Sequence, residues 1–157
     1  MSAQPLTMDK LIGMTRPQLD ELFMSCQPGP LPEGNSQGEA IVHPGSFWTR
    51  IFRWLIYKFD WQGKVFKSYK CPQCGTLVLT TLENKIGLDG VHAIEAVVYY
   101  GDSWLDKKKC IVLDYSKTSL LAKKIRDEIR LVGPNLYLGN VWWGKTRLID
   151  FALKFKS

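Results

Sequence analysis

No apolar run in this 157-residue chain reaches the ~18 residues that a helical membrane span needs, so no such anchor is expected. The opening residues, MSAQPLTMDKLIG, lack a basic stretch followed by an apolar one. No secretory leader is therefore expected, and the expected setting is cytoplasmic, with reduced thiols. Histidine occurs twice and cysteine four times, and neither a second CxxC nor an HxxxH is present to complete a zinc ligand set. No Arg-rich tract is present, so nucleic acid is not an expected partner. Disorder is excluded from the other side: hydrophobic residues make up 45% and charged residues 23%, the composition of an ordinary globular domain. A chain this long buries roughly two-thirds of its unfolded surface, so its core needs no metal or disulfide. The net charge of +6 is spread out, with small clusters at Lys107–Lys109 and Lys123–Arg126. It reads first as a solvated basic surface, and second as an attraction to anionic lipid or acidic partners.

Thr15-Arg16-Pro17 followed by Leu19, Leu22 and Phe23 on one face predicts a capped N-terminal helix. Residues 27–34 then hold three prolines and two glycines, which forbid regular structure and predict a surface strap. The expected organisation is a helix-and-strap segment over 1–37 and a single β-barrel domain over 38–157. Within the second unit, Gly38–His43 predicts a short strand ended by Pro44-Gly45. Ser46–Phe59 places Phe47, Trp48, Ile51, Phe52, Leu55, Ile56 and Phe59 at helical spacing, with Arg50, Arg53 and Lys58 elsewhere around the helix. Such a basic, aromatic helix either covers one end of a sheet or lies on an anionic membrane. Strands are predicted over 61–69, 76–81, 91–100 and 109–115, and a terminal hairpin over 136–143 and 147–155. In the last strand Ile149, Phe151, Leu153 and Phe155 alternate with Asp150, Ala152 and Lys154, a half-buried pattern. Thr118–Gly133 supports both periods; the reading adopted is a short helix from about Ser119 to Arg126, then a strand. About eight strands with short connections imply an antiparallel meander, which commonly closes into a barrel.

Cys71-Pro72-Gln73-Cys74-Gly75 joins two of these strands. A CxxC turn presents two thiolates to one ion, and Gly relieves the backbone after the second. The alternative is a tight hairpin turn with incidental cysteines. A redox role is disfavoured, because redox CxxC motifs open helices and this one precedes a strand.

Four segments occur in order: Trp61-Gln62-Gly63-Lys64-Val65-Phe66, Asp127-Glu128-Ile129-Arg130, Tyr137-Leu138-Gly139-Asn140-Val141 and Phe151-Ala152-Leu153-Lys154-Phe155. Together they resemble the strand signatures of lipocalin-like (calycin-type) small barrels of uncharacterised bacterial proteins, over about residues 38–156. The resemblance implies a mainly β (β+α) fold: an antiparallel lipocalin-like barrel of about eight strands, with an N-terminal helix and an amphipathic lid helix. It also implies a cavity, but no reaction. The Cys-Pro-Gln-Cys insert and the long aromatic helix depart from that pattern.

Lys64 and Arg130 are candidates for a cation inside the barrel, paired with a ligand's carboxylate or with Asp114 or Asp127. Arg130 could equally pair with Asp127 or Glu128 on the surface. Asp114 and Tyr115 are expected at a strand end, on the rim. A Tyr115-Ser116-Lys117 acid–base role lacks any accompanying nucleotide loop. The lone His43 and His92 are expected to be structural or solvated. Trp61, Phe66, Tyr99, Tyr137, Trp142 and Phe151 complete the expected ligand-binding set. Of the adjacent Trp142 and Trp143, one must point outward. The function expected is non-enzymatic binding of an apolar small molecule or lipid, including one with an acidic head group. The alternatives are a membrane-peripheral or protein-interaction module using residues 46–59, and more remotely an enzyme. No cofactor is implied, and zinc on Cys71 and Cys74 is a minor alternative.

Overall fold

The computed structural model describes residues 5–44, 50, 53, 60–87, 89–120 and 122–157. Eight antiparallel strands close into a barrel in simple sequence order. They are β1 (Gly34–Ile41), β2 (Trp61–Lys70), β3 (Leu77–Ile86), β4 (Val91–Asp102), β5 (Lys109–Asp114), β6 (Ile125–Gly133), β7 (Leu136–Trp143) and β8 (Thr146–Phe155). Closure is made by β1 against β8, from Ser36 opposite Phe155 to Ile41 opposite Asp150. Each described strand thus has a neighbour on both sides, with β1 meeting β2 at Gly34 and Asn35.

Alternation along the strands sorts the side chains onto two faces. Phe66, Leu82, Val98, Ile111, Leu113, Ile129, Tyr137, Phe151, Leu153 and Phe155 form the inner core. A second cluster, including Ile41, Cys110, Val112, Leu136, Leu138 and Ala152, lies on the outer wall. It is covered by two short helices, α1 (Met8–Ile12) and α2 (Arg16–Ser25), which contribute Leu11, Leu19 and Phe23. The apolar run of the last strands is therefore buried on both faces. In β8, Leu148 to Leu153 are all buried, where alternation alone had suggested one wet face.

The expected N-terminal helix forms as α2, closed by a capping box in which Thr15 and Gln18 satisfy one another's backbone N–H groups. The strap seals the lower end of the barrel. Tyr137 Oη donates to Pro30 O at 2.8 Å, Tyr100 Oη donates to Gly29 O at 2.9 Å, and Leu131 N–H donates to Pro28 O at 3.2 Å. At Gly29 (φ +75°) an added Cβ would fall 2.6 Å from Leu131 Cβ, so this turn of the strap requires glycine.

Two expectations differ from the structure. The first strand begins at Gly34, because Gly34 and Asn35 already pair with Phe66 and Val65. The helix expected over 119–126 is not formed by the described residues there. Thr118 and Ser119 N–H groups close a single turn on Tyr115 O, and Ile125 and Arg126 then enter the ladder with β7. One turn bounded by sheet is too short to propagate as helix. The helix expected over 46–59 falls outside the described residues, apart from Arg50 and Arg53. No described helix is long and apolar enough to cross a membrane.

Candidate functional site

Polar side chains interrupt the inner core in the upper half of the barrel, the end where β2 begins and β5 ends. Lys64 on β2, Asn84 on β3, Asp127 on β6 and Tyr115, just beyond β5, all point inward and are buried. Alternation puts them there: Lys64 lies two residues before Phe66, Asn84 two after Leu82, and Asp127 two before Ile129.

Lys64 Nζ donates to Tyr115 Oη at 2.7 Å and to Asn84 Oδ1 at 2.8 Å, and pairs with Asp127 Oδ2 at 3.0 Å. Tyr115 Oη donates to Asp127 Oδ2 at 3.2 Å. Asn84 Nδ2 donates to Tyr115 Oη at 3.2 Å and to Ile94 O at 2.8 Å. Trp61 Nε1 donates to Asn84 Oδ1 at 3.1 Å. The ammonium also lies between aromatic faces, 5.2 Å from the Phe151 ring centroid and 5.4 Å from those of Trp61 and Tyr115. The three donors of Lys64 and the whole hydrogen-bonding capacity of the Tyr115 hydroxyl are thus engaged. One atom is not: Asp127 Oδ1 is buried without a hydrogen-bond partner.

Burial pulls the Lys64 ammonium down, but the Asp127 carboxylate and the Tyr115 hydroxyl outweigh it, and the net direction is up. The Tyr115 hydroxyl is pushed up to about 12, first by burial and then by Asp127. Lys64 is therefore charged and Tyr115 protonated at neutral pH. Neither is poised as a general base there.

The cluster rests on a strained bulge. Ile94 has φ +57°, a conformation that β-branched residues avoid, and the β3–β4 register slips between Glu83 and Asn84. The slip lets the Ile94 carbonyl accept from Asn84, which fixes the amide orientation. On the other side, Trp61 borders a cleft of about 440 Å³ that is also lined by Gln37, Gly38, Glu39, Asp60, Gln62 and Lys85. Gly38 and Gly63 let β1 and β2 approach closely here: a Cβ on Gly38 would lie 2.5 Å from the Trp61 ring and 2.7 Å from Gly63 Cα. Trp61 is thus the shared wall between open cleft and buried cluster.

Of the residues expected to bind ligand, Trp61, Lys64, Tyr115 and Phe151 meet at this cluster. Phe66 and Tyr137 lie lower in the inner core, with ring centroids each 5.6 Å from that of Phe155. The other four lie on the outer wall. Arg130 is fully buried there and engaged by Asp106 in a two-pronged pair at 2.8 Å and 2.8 Å. It also donates to Phe23 O and Lys109 O, both at 2.9 Å, tying α2 and the β4–β5 loop to the barrel. Tyr99 Oη donates to Asp114 Oδ2 at 2.9 Å on the outside. Trp142 packs edge-on against Trp104, with ring centroids 5.8 Å apart. His43 Nε2 lies 3.0 Å from the buried Asp150, and His92 Nδ1 lies 2.8 Å from Glu83. Asn84 is the member of the cluster that sequence reasoning passed over. Its signal was the inward row Thr80, Leu82, Asn84.

Fold and site together define a closed eight-stranded antiparallel barrel with a buried lysine–aspartate–tyrosine–asparagine cluster. The sequence matches no family model and no curated protein. In three dimensions the chain is similar to a crystal structure described as that of a protein from Thermomonospora curvata. The two share 15% sequence identity and a TM-score of 0.57, over 92% of this chain and 89% of that one. At that identity the likeness shows the fold.

Proposed function

We propose that the protein is a non-enzymatic, lipocalin-like binder of a small, partly apolar molecule. The ligand enters from the cleft beside Trp61, displaces that ring from the wall it forms, and presents a hydrogen-bond donor to the Asp127 carboxylate behind it. The observation that carries this reading is the unpartnered, buried Asp127 Oδ1 within a cluster whose other polar atoms are matched. A buried acceptor left unmade costs about 1–3 kcal/mol, more for a charged group, and a donor-bearing ligand recovers that free energy on binding. The cleft volume of about 440 Å³ falls within the usual range for small-molecule sites. The head group expected from the sequence was acidic, to meet Lys64. Because Lys64 is already neutralised by Asp127, the geometry favours an amine, amide or alcohol over a carboxylate. The membrane reading rests on residues 46–59 and has no comparable support.

Native mass spectrometry of freshly purified protein, followed by thermal-shift screening of small amines, amides, alcohols and fatty acids, tests the proposal. Donor-bearing small molecules are expected to raise Tm. Asp127→Asn and Trp61→Ala are expected to weaken their binding at least tenfold. A response confined to fatty acids would replace the donor head group with an acidic one. No bound species and no response to any class would overturn the binding function.

A further inference from the structure

Away from the barrel interior, β2 and β3 are joined by the turn Cys71-Pro72-Gln73-Cys74-Gly75-Thr76. The turn is closed by Cys71 N–H to Thr76 O and by Gly75 N–H to Cys71 O, both at 2.8 Å. Gly75 takes φ +68°, with nothing within 4 Å of where a Cβ would sit, so the tip stands clear of the body. Both thiols are free; Cys74 is exposed and Cys71 half-buried. Two free thiols three residues apart on one tight, protruding turn form a bidentate chelate for a thiophilic, tetrahedral cation.

A structural zinc needs four ligands, and this chain supplies two. Among the described residues no group of three or more His, Cys, Asp or Glu side chains is placed to hold a metal. The remaining residues of the sequence include none of these four types. Cys110 is buried beneath the outer-wall cluster, its thiol pushed up to about 12 by burial. We propose that Cys71 and Cys74 are half of a tetrathiolate zinc site, completed by the same hairpin tip of a second copy of this chain.

Symmetry makes the two halves identical, as a two-fold interface requires. Charge fits as well: four thiolates around Zn²⁺ leave a net charge of −2, and the exposed Lys70 adjoining each tip returns +2 across the pair. The flanking hairpin is apolar and uncovered: Tyr69 is 53%, Leu77 44% and Leu79 40% exposed, and Tyr69 pairs with Leu79 across the strands. A second tip seated there would cover them. Zinc binding forms four Zn–S bonds and releases the remaining thiol protons to solvent, with no oxidant consumed.

The test is zinc titration of the full-length, reduced protein, with sedimentation velocity read in parallel. Uptake of about half a zinc per chain is expected, together with a shift from monomer to dimer that a chelator reverses. Cobalt in place of zinc should show the visible bands of a tetrahedral thiolate site. Cys71→Ser and Cys74→Ser should each abolish uptake and metal-dependent dimerisation while leaving the melting temperature of the metal-free protein unchanged. One zinc per chain on a monomer, no uptake under reducing conditions, or the same metal-dependent dimer in Cys74→Ser would each overturn the proposal.

Discussion

Lys64 and Asp127 carry opposite charges inside an apolar barrel, where each ion alone would cost several kcal/mol. Their contact at 3.0 Å, with Tyr115 and Asn84 bridging, makes the pair tolerable. Removing one partner is a different matter from removing both. Lys64→Met leaves the Asp127 charge buried and is expected to destabilise the fold by about 3–5 kcal/mol. The double variant Lys64→Met with Asp127→Leu is expected to recover most of that loss, or to exceed the parent, because an apolar pair of similar volume fits the surrounding Phe151 and Leu113. Chemical denaturation of the single and double variants measures both. A double variant no more stable than the single would mean that the charges are structural necessities. Recovery of stability with loss of ligand response would place the pair in the binding role proposed above.

Within the elements, the β3–β4 ladder concentrates strain at one residue. A left-handed backbone costs a side-chain-bearing residue roughly 1–2 kcal/mol, and Ile94 meets that cost while 41% exposed. Asparagine tolerates this conformation, so Ile94→Asn is expected to stabilise the protein by about 1 kcal/mol, or about 2–4 °C in Tm. Differential scanning calorimetry checks it; a lower Tm would show that Ile94 contributes more by packing than its backbone loses. The β7–β8 hairpin shows the converse. There Gly139 is needed because the Phe151 ring occupies the space a Cβ would take. The strap and the capped α2 do for the outer wall and lower end what the inward aromatics do for the core.

For the whole molecule, the titrating groups bound a range of stability. Asp106 is held below its ordinary value of 3.8 chiefly by the hydrogen bonds from Arg130. A depressed carboxylate favours the folded state above its unfolded value, and that contribution disappears as pH falls through and below it. Tyr115 is the opposite case, raised from 10.0 to about 12 by burial. Its protonated form favours folding below about pH 10, and the contribution is lost as pH climbs toward 12. Stability is therefore expected to be flat from about pH 5 to 9 and to fall on both sides. Asp106→Asn should flatten the acid limb and Tyr115→Phe the alkaline one. Urea midpoints across pH read both slopes; an unchanged limb in either variant would remove that residue from the account.

Much of this architecture is written in local pattern. Period-two alternation from Trp61 onward fixes antiparallel strands, Thr15 and Gln18 mark a helix start, and the proline-rich segment at 27–34 admits nothing regular. These are choices each residue makes with its near neighbours, so they survive in one dimension. Tertiary structure decided the rest, because it depends on which face closes inward and on what covers the other. Lys64 and Arg130 look alike as cations on strands. Closure turned Lys64 into the barrel to meet Asp127, and set Arg130 on the outer wall beneath α2, where Asp106 from a distant loop occupies its fork. Asn84 became part of a site only when a bulge in β4, two strands away from Asp127 on β6, turned the Ile94 carbonyl toward it. Side-chain alternation fixes parity along a strand, but which parity faces the core, and what docks over the other, is settled by the packed whole.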